Sequence, residues 1–191
     1  MRKLILLLSV AALVSGCTTR RAGTIQNGIY TSARGDFSVP VPLGIILGKN
    51  GTMKEGKDRV SFNRFYSSQL HVLCFRHNKT ITDANRYDLM YEIMTRLYPD
   101  RPFIYKKNFS DVQGGMAFAV WPQGDDTLEK PRKLGIGGFW TGTRAIIIVA
   151  SLPDLLDIFP EGVPQEKQIR ILEEIVLDTA REIVVYDHAG K

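Results

Sequence analysis

The six residues from Ala145 to Ala150, AIIIVA, constrain the fold of this chain more than any other stretch. Side chains of a β-strand alternate between its two faces, and in this segment both faces carry only apolar residues. A strand with one face in water would expose half of them. We therefore predict a central strand in a sheet that is covered on both sides.

Other strands are predicted before and after the middle of the chain. Phe37, Val39 and Val41 recur at every second residue, which is typical of a half-buried strand. Pro40 and Pro42 place this strand at an edge or at a strand end, because proline lacks an N–H group for the ladder. Further strands are predicted at 60–65, 69–77, 103–109 and 116–121. Asn50-Gly51 predicts a hairpin turn before the first of them.

The period changes from that of a strand to that of a helix after Thr82. The helical stripe there consists of Tyr87, Met90, Tyr91, Met94, Leu97 and Tyr98. Thr82 or Asp83 can cap the start of this helix, and Pro99 ends it. A second amphipathic helix, starting near Pro164, is predicted to bury Ile169, Leu172, Val176, Ala180 and Ile183.

The order of these elements is several strands, a helix, more strands and a closing helix. This order predicts the α+β class, with an antiparallel β-sheet and packed amphipathic helices in an α/β sandwich. Glycines at 135, 137 and 138 interrupt one of the predicted strands. They indicate either a bulge or a place where another part of the backbone approaches closely.

A family resemblance lies at the start of this region. The stretch Tyr30-Thr31-Ser32, followed by Gly35-Asp36-Phe37-Ser38-Val39 and Pro42, resembles the opening of PsbP-like and DcrB-like domains. Ala33 departs from the pattern, since the family usually has proline there. The resemblance implies an α/β sandwich of about the same element order, and an assembly or stability role without catalysis.

The first residues predict a secretory signal. Arg2 and Lys3 precede an eleven-residue apolar run from Leu4 to Val14. A membrane-spanning helix needs about 20 such residues, so this run fits a signal peptide better. The residues Val14-Ser15-Gly16-Cys17 resemble the lipobox of bacterial lipoproteins. That resemblance implies cleavage between Gly16 and Cys17, with acyl chains on the Cys17 sulfur and on its new amino group.

Three parts of the chain follow from these observations. We expect a lipoprotein signal peptide at 1–16, a lipidated tether at 17–28 and a single α+β domain at 29–191. Thr18 stands where aspartate tends to retain lipoproteins in the inner membrane, so the resemblance implies the outer membrane, facing the periplasm. The outer face of the cytoplasmic membrane is the alternative. The lipid would anchor the chain without a spanning helix.

Composition narrows the classes of partner. The formal charge of the whole chain is +5, and removal of Arg2 and Lys3 lowers it to +3. The basic residues are scattered, so we expect no nucleic acid partner. With Cys17 lipidated, Cys74 has no second cysteine in the chain for a disulfide, and we expect a buried, inert thiol there.

Two stretches come near to known chemical motifs. In HVLCFRH, His71 and His77 share one strand face while Cys74 lies on the other, which disfavours a shared metal or a Cys-His pair. In GTMKEGKD, Gly51 to Asp58, the glycine and lysine spacing of a phosphate loop is present, but Asp58 replaces the required Ser or Thr. We therefore expect no catalytic residues, no metal and no cofactor.

Three functions remain as hypotheses. The first is a non-catalytic envelope lipoprotein that binds or helps to assemble a protein partner. The second is a carrier of a lipid or small ligand, with a pocket between the sheet and a helix, lined by Tyr87, Met90, Tyr91 and Met94. The third is a hydrolase, although no spacing in the sequence links an acid, a base and a nucleophile.

Overall fold

The computed structural model of the protein describes residues 23–41, 52–56, 59–63, 69–99, 102–123, 132–151 and 164–186. The predicted signal peptide at 1–16, with Gly16 and Cys17, lies outside the described residues. So does the hairpin turn predicted at Asn50-Gly51.

The described residues form two antiparallel sheets and two helices. The strands are β1 Thr24–Gln26, β2 Ile29–Thr31, β3 Phe37–Pro40, β4 Thr52–Gly56, β5 Arg59–Asn63, β6 Gln69–Arg76, β7 Tyr105–Phe109, β8 Met116–Gln123, β9 Arg132–Thr141, β10 Arg144–Ser151 and β11 Val184–Val185. The helices are α1 Arg86–Leu97 and α2 Gln165–Glu182. The larger sheet has seven strands in the order β4-β5-β6-β10-β9-β8-β7, and the smaller has four in the order β1-β2-β3-β11.

Strand β10 holds the centre of the larger sheet. It pairs with β6 on one side and with β9 on the other, and all of its residues are buried. The prediction of a central strand covered on both sides is therefore confirmed. The wider prediction of an α+β sandwich is confirmed with it, because helices and a second sheet cover the two faces.

Each face of the larger sheet has its own apolar core. On one face, Ile146 and Ile148 pack in a cluster with Leu172 and Val176 of α2 and with residues of the smaller sheet such as Tyr30. On the opposite face lies a cluster that includes Ile147, Trp121 and the α1 residues Met90 and Met94. The seven-stranded sheet is thus the middle layer, with α1 on one side and both α2 and the smaller sheet on the other.

The glycines of β9 let both helices lie close to the sheet. A Cβ at Gly137 would collide with Val176 of α2, and one at Gly138 would collide with Met90 of α1. Residues Leu134 to Thr141 pair with β10 in continuous register, without a bulge. Of the two explanations expected for these glycines, a bulge or a close approach, the structure therefore shows the close approach. Residues this small are required because both faces of the strand are covered at the same place.

Two boundaries in the structure differ from the expected ones. Residues 24–26 form β1, so the fold begins before residue 29 and takes in part of the predicted tether. Helix α1 begins at Arg86, after Asn85 rather than Thr82 or Asp83. The Asn85 side chain accepts a hydrogen bond from the Thr82 N–H at 2.8 Å, which closes a turn ahead of the helix.

Candidate functional site

A surface groove of about 500 Å³ lies beside the first residues of β7. It is lined by Thr95, Pro102, Phe103, Ile104, Tyr105 and Lys106. Thr95 comes from α1, whereas the other five residues lead into β7 or belong to it. Since β7 is the last strand of the larger sheet, the groove runs along a sheet edge.

Aromatic rings pack together behind one wall of this groove. The Phe103 ring packs edge-on against Trp121, with centroids 4.0 Å apart, and Trp121 in turn contacts Tyr98 at 5.8 Å. The Tyr91 ring also contacts Phe103, with centroids 5.8 Å apart. These tilted and edge-on arrangements are the ones that aromatic pairs prefer, and they give the groove an apolar wall. Ile104 is exposed beside it, with 40% of its surface accessible.

Two neighbouring lysines in β7 have different electrostatic surroundings. The Lys106 ammonium lies 4.5 Å from the Phe103 ring centroid and 4.8 Å from that of Tyr91. The Lys107 ammonium lies 2.6 Å from a carboxylate oxygen of Glu173 on α2. This carboxylate raises the pKa of Lys107 above its ordinary value. Glu173 thus balances the charge of Lys107, while Lys106 presents its cation on an aromatic surface.

Tyr91 fixes helix α1 to the edge of the sheet. Its hydroxyl lies 2.8 Å from Oδ1 of Asn108 and 3.0 Å from the carbonyl oxygen of Lys107, both in β7. The Phe118 carbonyl oxygen in β8 is 3.2 Å away. Burial raises the pKa of Tyr91 to about 12, so the phenol stays protonated and donates near neutral pH.

The four residues predicted to line a carrier pocket take two different places. Met90 and Met94 are 1% and 0% exposed and pack in the core between α1 and the sheet. The Tyr91 ring contacts Phe103 behind the groove, and the Tyr87 hydroxyl lies beside Gly115. None of the four is among the residues that line the groove described above, and a ligand pocket lined by all of them stays a prediction.

The groove itself was missed in the sequence because it forms only where helix α1, which supplies Thr95, packs beside the start of β7, and no sequence pattern reports that packing. One signal was nevertheless present in YKKNF, which pairs two lysines with flanking aromatic residues. Exposed lysines in a short strand are typical of a sheet edge, where they discourage pairing with other chains. An edge strand at Tyr105–Phe109 could have been expected on that basis.

The HVLCFRH stretch has the geometry expected from the sequence. Cys74 lies in the core shared with α2, whereas Leu73 and Phe75 pack on the α1 side of the sheet. The Cys74 thiol is buried, as predicted, with Nη1 of Arg144 at 3.8 Å from its sulfur. His77 packs edge-on against Trp140, with centroids 4.6 Å apart.

His71 makes its contact with a serine instead of a metal partner. Its Nδ1 atom lies 2.7 Å from the Ser61 hydroxyl on β5. Burial and the nearby Arg59 cation hold the pKa of His71 below its ordinary value. Within the ranges that the structure describes, no three His, Cys, Asp or Glu side chains are grouped so that they could hold a metal ion.

The segment that resembled a phosphate loop is part of a hairpin. Residues Thr52–Gly56 form β4 and pair with Arg59–Asn63 of β5. A phosphate loop would need a helix to begin directly after the lysine, and the next described element is a strand.

None of the helices in the described ranges is long and apolar enough to cross a membrane.

Comparison with known proteins identifies the fold. No protein-family model and no curated protein matches the chain. Among solved structures, it is similar to the Ran-binding protein Mog1p of Saccharomyces cerevisiae, with a TM-score of 0.56 and 10% identity over 85% of this chain and 96% of that one. It is also similar to the cyanobacterial PsbP of Synechocystis, with a TM-score of 0.53 and 15% identity over 90% of this chain and 96% of that one.

At such low identity, these likenesses show a shared fold. The resemblance to PsbP-like domains that the sequence indicated is therefore confirmed at the level of the fold. The likenesses cover 85% and 90% of this chain, so the shared fold extends over most of it.

Proposed function

We propose that this chain is a lipid-anchored lipoprotein of the bacterial envelope whose domain binds a protein partner without catalysing a reaction. The groove beside β7 carries the binding part of the proposal. It combines an aromatic wall, an exposed isoleucine and a cation on β7, the last strand of the larger sheet as far as the structure describes it. Aromatic and apolar side chains of this kind are typical of the energetic centres of protein interfaces.

The shape of the groove favours a protein partner over a carried ligand. A small-molecule site usually buries 70–90% or more of its ligand inside a cleft. Here Ile104 and the neighbouring lysine are exposed, while the space between α1 and the sheet is filled by Met90 and Met94. A carrier would copurify with a ligand, which mass spectrometry of gently extracted protein would detect.

The fold provides further support. Mog1p, which has this fold, is a Ran-binding protein, so the fold is compatible with protein recognition. This likeness supports protein binding as the kind of function, and it does not identify the partner. For this chain we propose an assembly or accessory role at the membrane.

Photocrosslinking in living cells tests the binding role. A photoreactive residue at Ile104 is expected to capture one discrete envelope protein. Ile175 on α2 is a matched control, because it is also an exposed isoleucine, at 36% against 40% for Ile104. Probes at Ile25 and Val184 sample the smaller sheet. Absence of any specific crosslink from all four positions would contradict a protein-binding role.

The anchor has its own test. We propose that Cys17 carries palmitate or a similar acyl chain and that cleavage occurs after Gly16, as the Val14-Ser15-Gly16-Cys17 pattern indicates. Cells supplied with a labelled fatty acid should label the mature protein, and a Cys17→Ser variant should lose the label. Fractionation of the envelope then separates the proposed outer-membrane location from the cytoplasmic membrane. Label that persists in the variant would overturn the lipoprotein assignment.

A further inference from the structure

Resting on the proposed function, we infer that the partner contributes an extended acidic segment that adds as a strand to the open side of β7, with a carboxylate against Lys106 and an apolar side chain in the groove. The inference follows from three features of the same edge: its backbone, its charge and its apolar surface.

The first feature is the backbone of β7. Among the strands that the structure describes, β7 pairs with β8 on one side only. A strand in this position can offer N–H and C=O groups to a further chain. Extended peptides bind to sheet edges in this way, with main-chain hydrogen bonds giving affinity and side-chain pockets giving specificity. The edge therefore favours an extended partner over a helical one.

The second feature is the charge of Lys106. No carboxylate of the described residues pairs with its ammonium, which lies over the rings of Phe103 and Tyr91. The adjacent Lys107 is already paired with Glu173 on the other face of the sheet. A carboxylate brought to Lys106 would gain a charge-assisted hydrogen bond on a partly apolar surface. The partner should therefore be acidic at this point.

The third feature is the side of the sheet on which the groove lies. Thr95 of α1 lines the groove, and the Lys106 ammonium lies over the ring of Tyr91, also in α1, so both are on the α1 side of the sheet. A strand added beside β7 places its own residues i and i+2 on that side. The carboxylate opposite Lys106 and the apolar residue in the groove are then separated by one residue in the partner. The recognised pattern is acidic-x-apolar, in either chain direction.

Synthetic peptides test this inference on the full chain in detergent micelles. The first probe is a blocked peptide of sequence Asp-Thr-Val-Thr-Asp, which is as long as β7 and carries the acidic-x-apolar pattern in both chain directions. The second probe replaces each aspartate by lysine. We expect the acidic peptide to bind about tenfold or more tightly. A third probe is the acidic peptide N-methylated at alternate residues, which keeps the side chains but removes backbone donors, and it should lose binding. Amide exchange of Tyr105–Phe109 should slow in the complex.

Two matched variants test the role of the charge. Lys106→Gln should weaken binding of the acidic peptide about tenfold, whereas Lys107→Gln, on the other face of the same strand, should leave the affinity unchanged. Equal binding of the acidic and lysine peptides, full binding of the N-methylated one, or equal effects of the two variants would each overturn the inference.

Other occupants give distinct results. Binding of anionic phospholipid vesicles through Lys106 without peptide binding would point to a lipid surface. Self-association that Ile104→Asp abolishes would point to a second copy of the chain. Either result overturns the inference. Crosslinks from Ile25, Ile175 or Val184 without peptide binding would reject this site while the proposed binding function stands, whereas absence of all crosslinks would reject the function itself.

Discussion

Arg144 is a buried cation at the start of the central strand, and its environment shows how a single side chain ties the two sheets together. The residue is 3% exposed, and its Nη2 atom lies 2.7 Å from a carboxylate oxygen of Asp36. Asp36 precedes β3 of the smaller sheet, whereas Arg144 belongs to the larger one. A buried pair of this kind is costly to break, because the remaining charge stays without its partner in a dry environment.

We predict that Asp36→Ala destabilises the protein by about 3 kcal/mol, since it leaves the Arg144 cation buried. The double variant Asp36→Ala with Arg144→Met should recover part of that loss, because no charge is left behind. Urea unfolding followed by circular dichroism measures the free energies of unfolding of these two variants and of the single variant Arg144→Met. If the double variant were as unstable as the sum of the two single variants, the ion pair would not be the cause.

Gly137 and Gly138 give a second prediction at the scale of single residues. An added methyl group at Gly137 meets Val176, a stiff β-branched side chain, whereas one at Gly138 meets the flexible thioether of Met90. Gly137→Ala should therefore cost about 3 kcal/mol and Gly138→Ala about 1 kcal/mol. Thermal unfolding of the two variants compares these costs directly. Equal costs would mean that α2 moves away from the sheet as easily as Met90 changes its rotamer.

Helix α1 and strand β7 form a unit at the scale of elements. Helical periodicity predicted α1, and Met90 and Met94 lie on the buried side as that pattern requires. Leu97, in the same stripe, is 40% exposed because the helix ends there. Periodicity does not report which strand a helix crosses. The contact between Tyr91 and β7, and with it the groove, therefore depends on tertiary packing.

We predict that Tyr91→Phe destabilises the protein by about 1 kcal/mol, because the hydroxyl then no longer donates to β7. The effect should concentrate at the sheet edge, with faster amide exchange in Tyr105–Phe109 than in β10. Tyr87→Phe is the matched control, since the Tyr87 hydroxyl lies beside Gly115 instead of β7. Uniformly faster exchange in both strands would indicate a global loss of stability and no specific role at the edge.

At the scale of the whole molecule, the sequence predicted the α+β class but not the number of sheets that the strands form. The alternating and helical patterns predicted an α+β sandwich, and AIIIVA identified the strand that is covered on both sides. The division into two sheets was not predicted. It depends on pairing between β3 and β11, whose register joins Ser38 to Val184 across most of the chain. Strand β11 has only two residues, which is too few to show the alternation of side chains by which a strand is predicted.

The position of β1 connects the fold to the proposed membrane anchor. Thr24, the first residue of β1, follows Cys17 by seven residues. Even a fully extended chain of this length spans only about 25 Å. If Cys17 carries acyl chains, the end of the smaller sheet must lie within about that distance of the bilayer surface, whatever the orientation of the rest of the protein.

We therefore predict efficient energy transfer between a dye at position 25 and dye-labelled lipids, when the lipidated protein is held in nanodiscs. Ile25 is 50% exposed, so an Ile25→Cys variant accepts the dye, and Cys74→Ala removes the buried thiol. Inserting a flexible glycine-serine segment after Thr19 should reduce the transfer, because a longer tether allows the domain to lie farther from the bilayer. A control that lacks the anchor, Cys17→Ser, should show none. Transfer that stays equally strong in this control would mean that the domain reaches the bilayer through its own surface, and the short tether would then not determine where the protein sits.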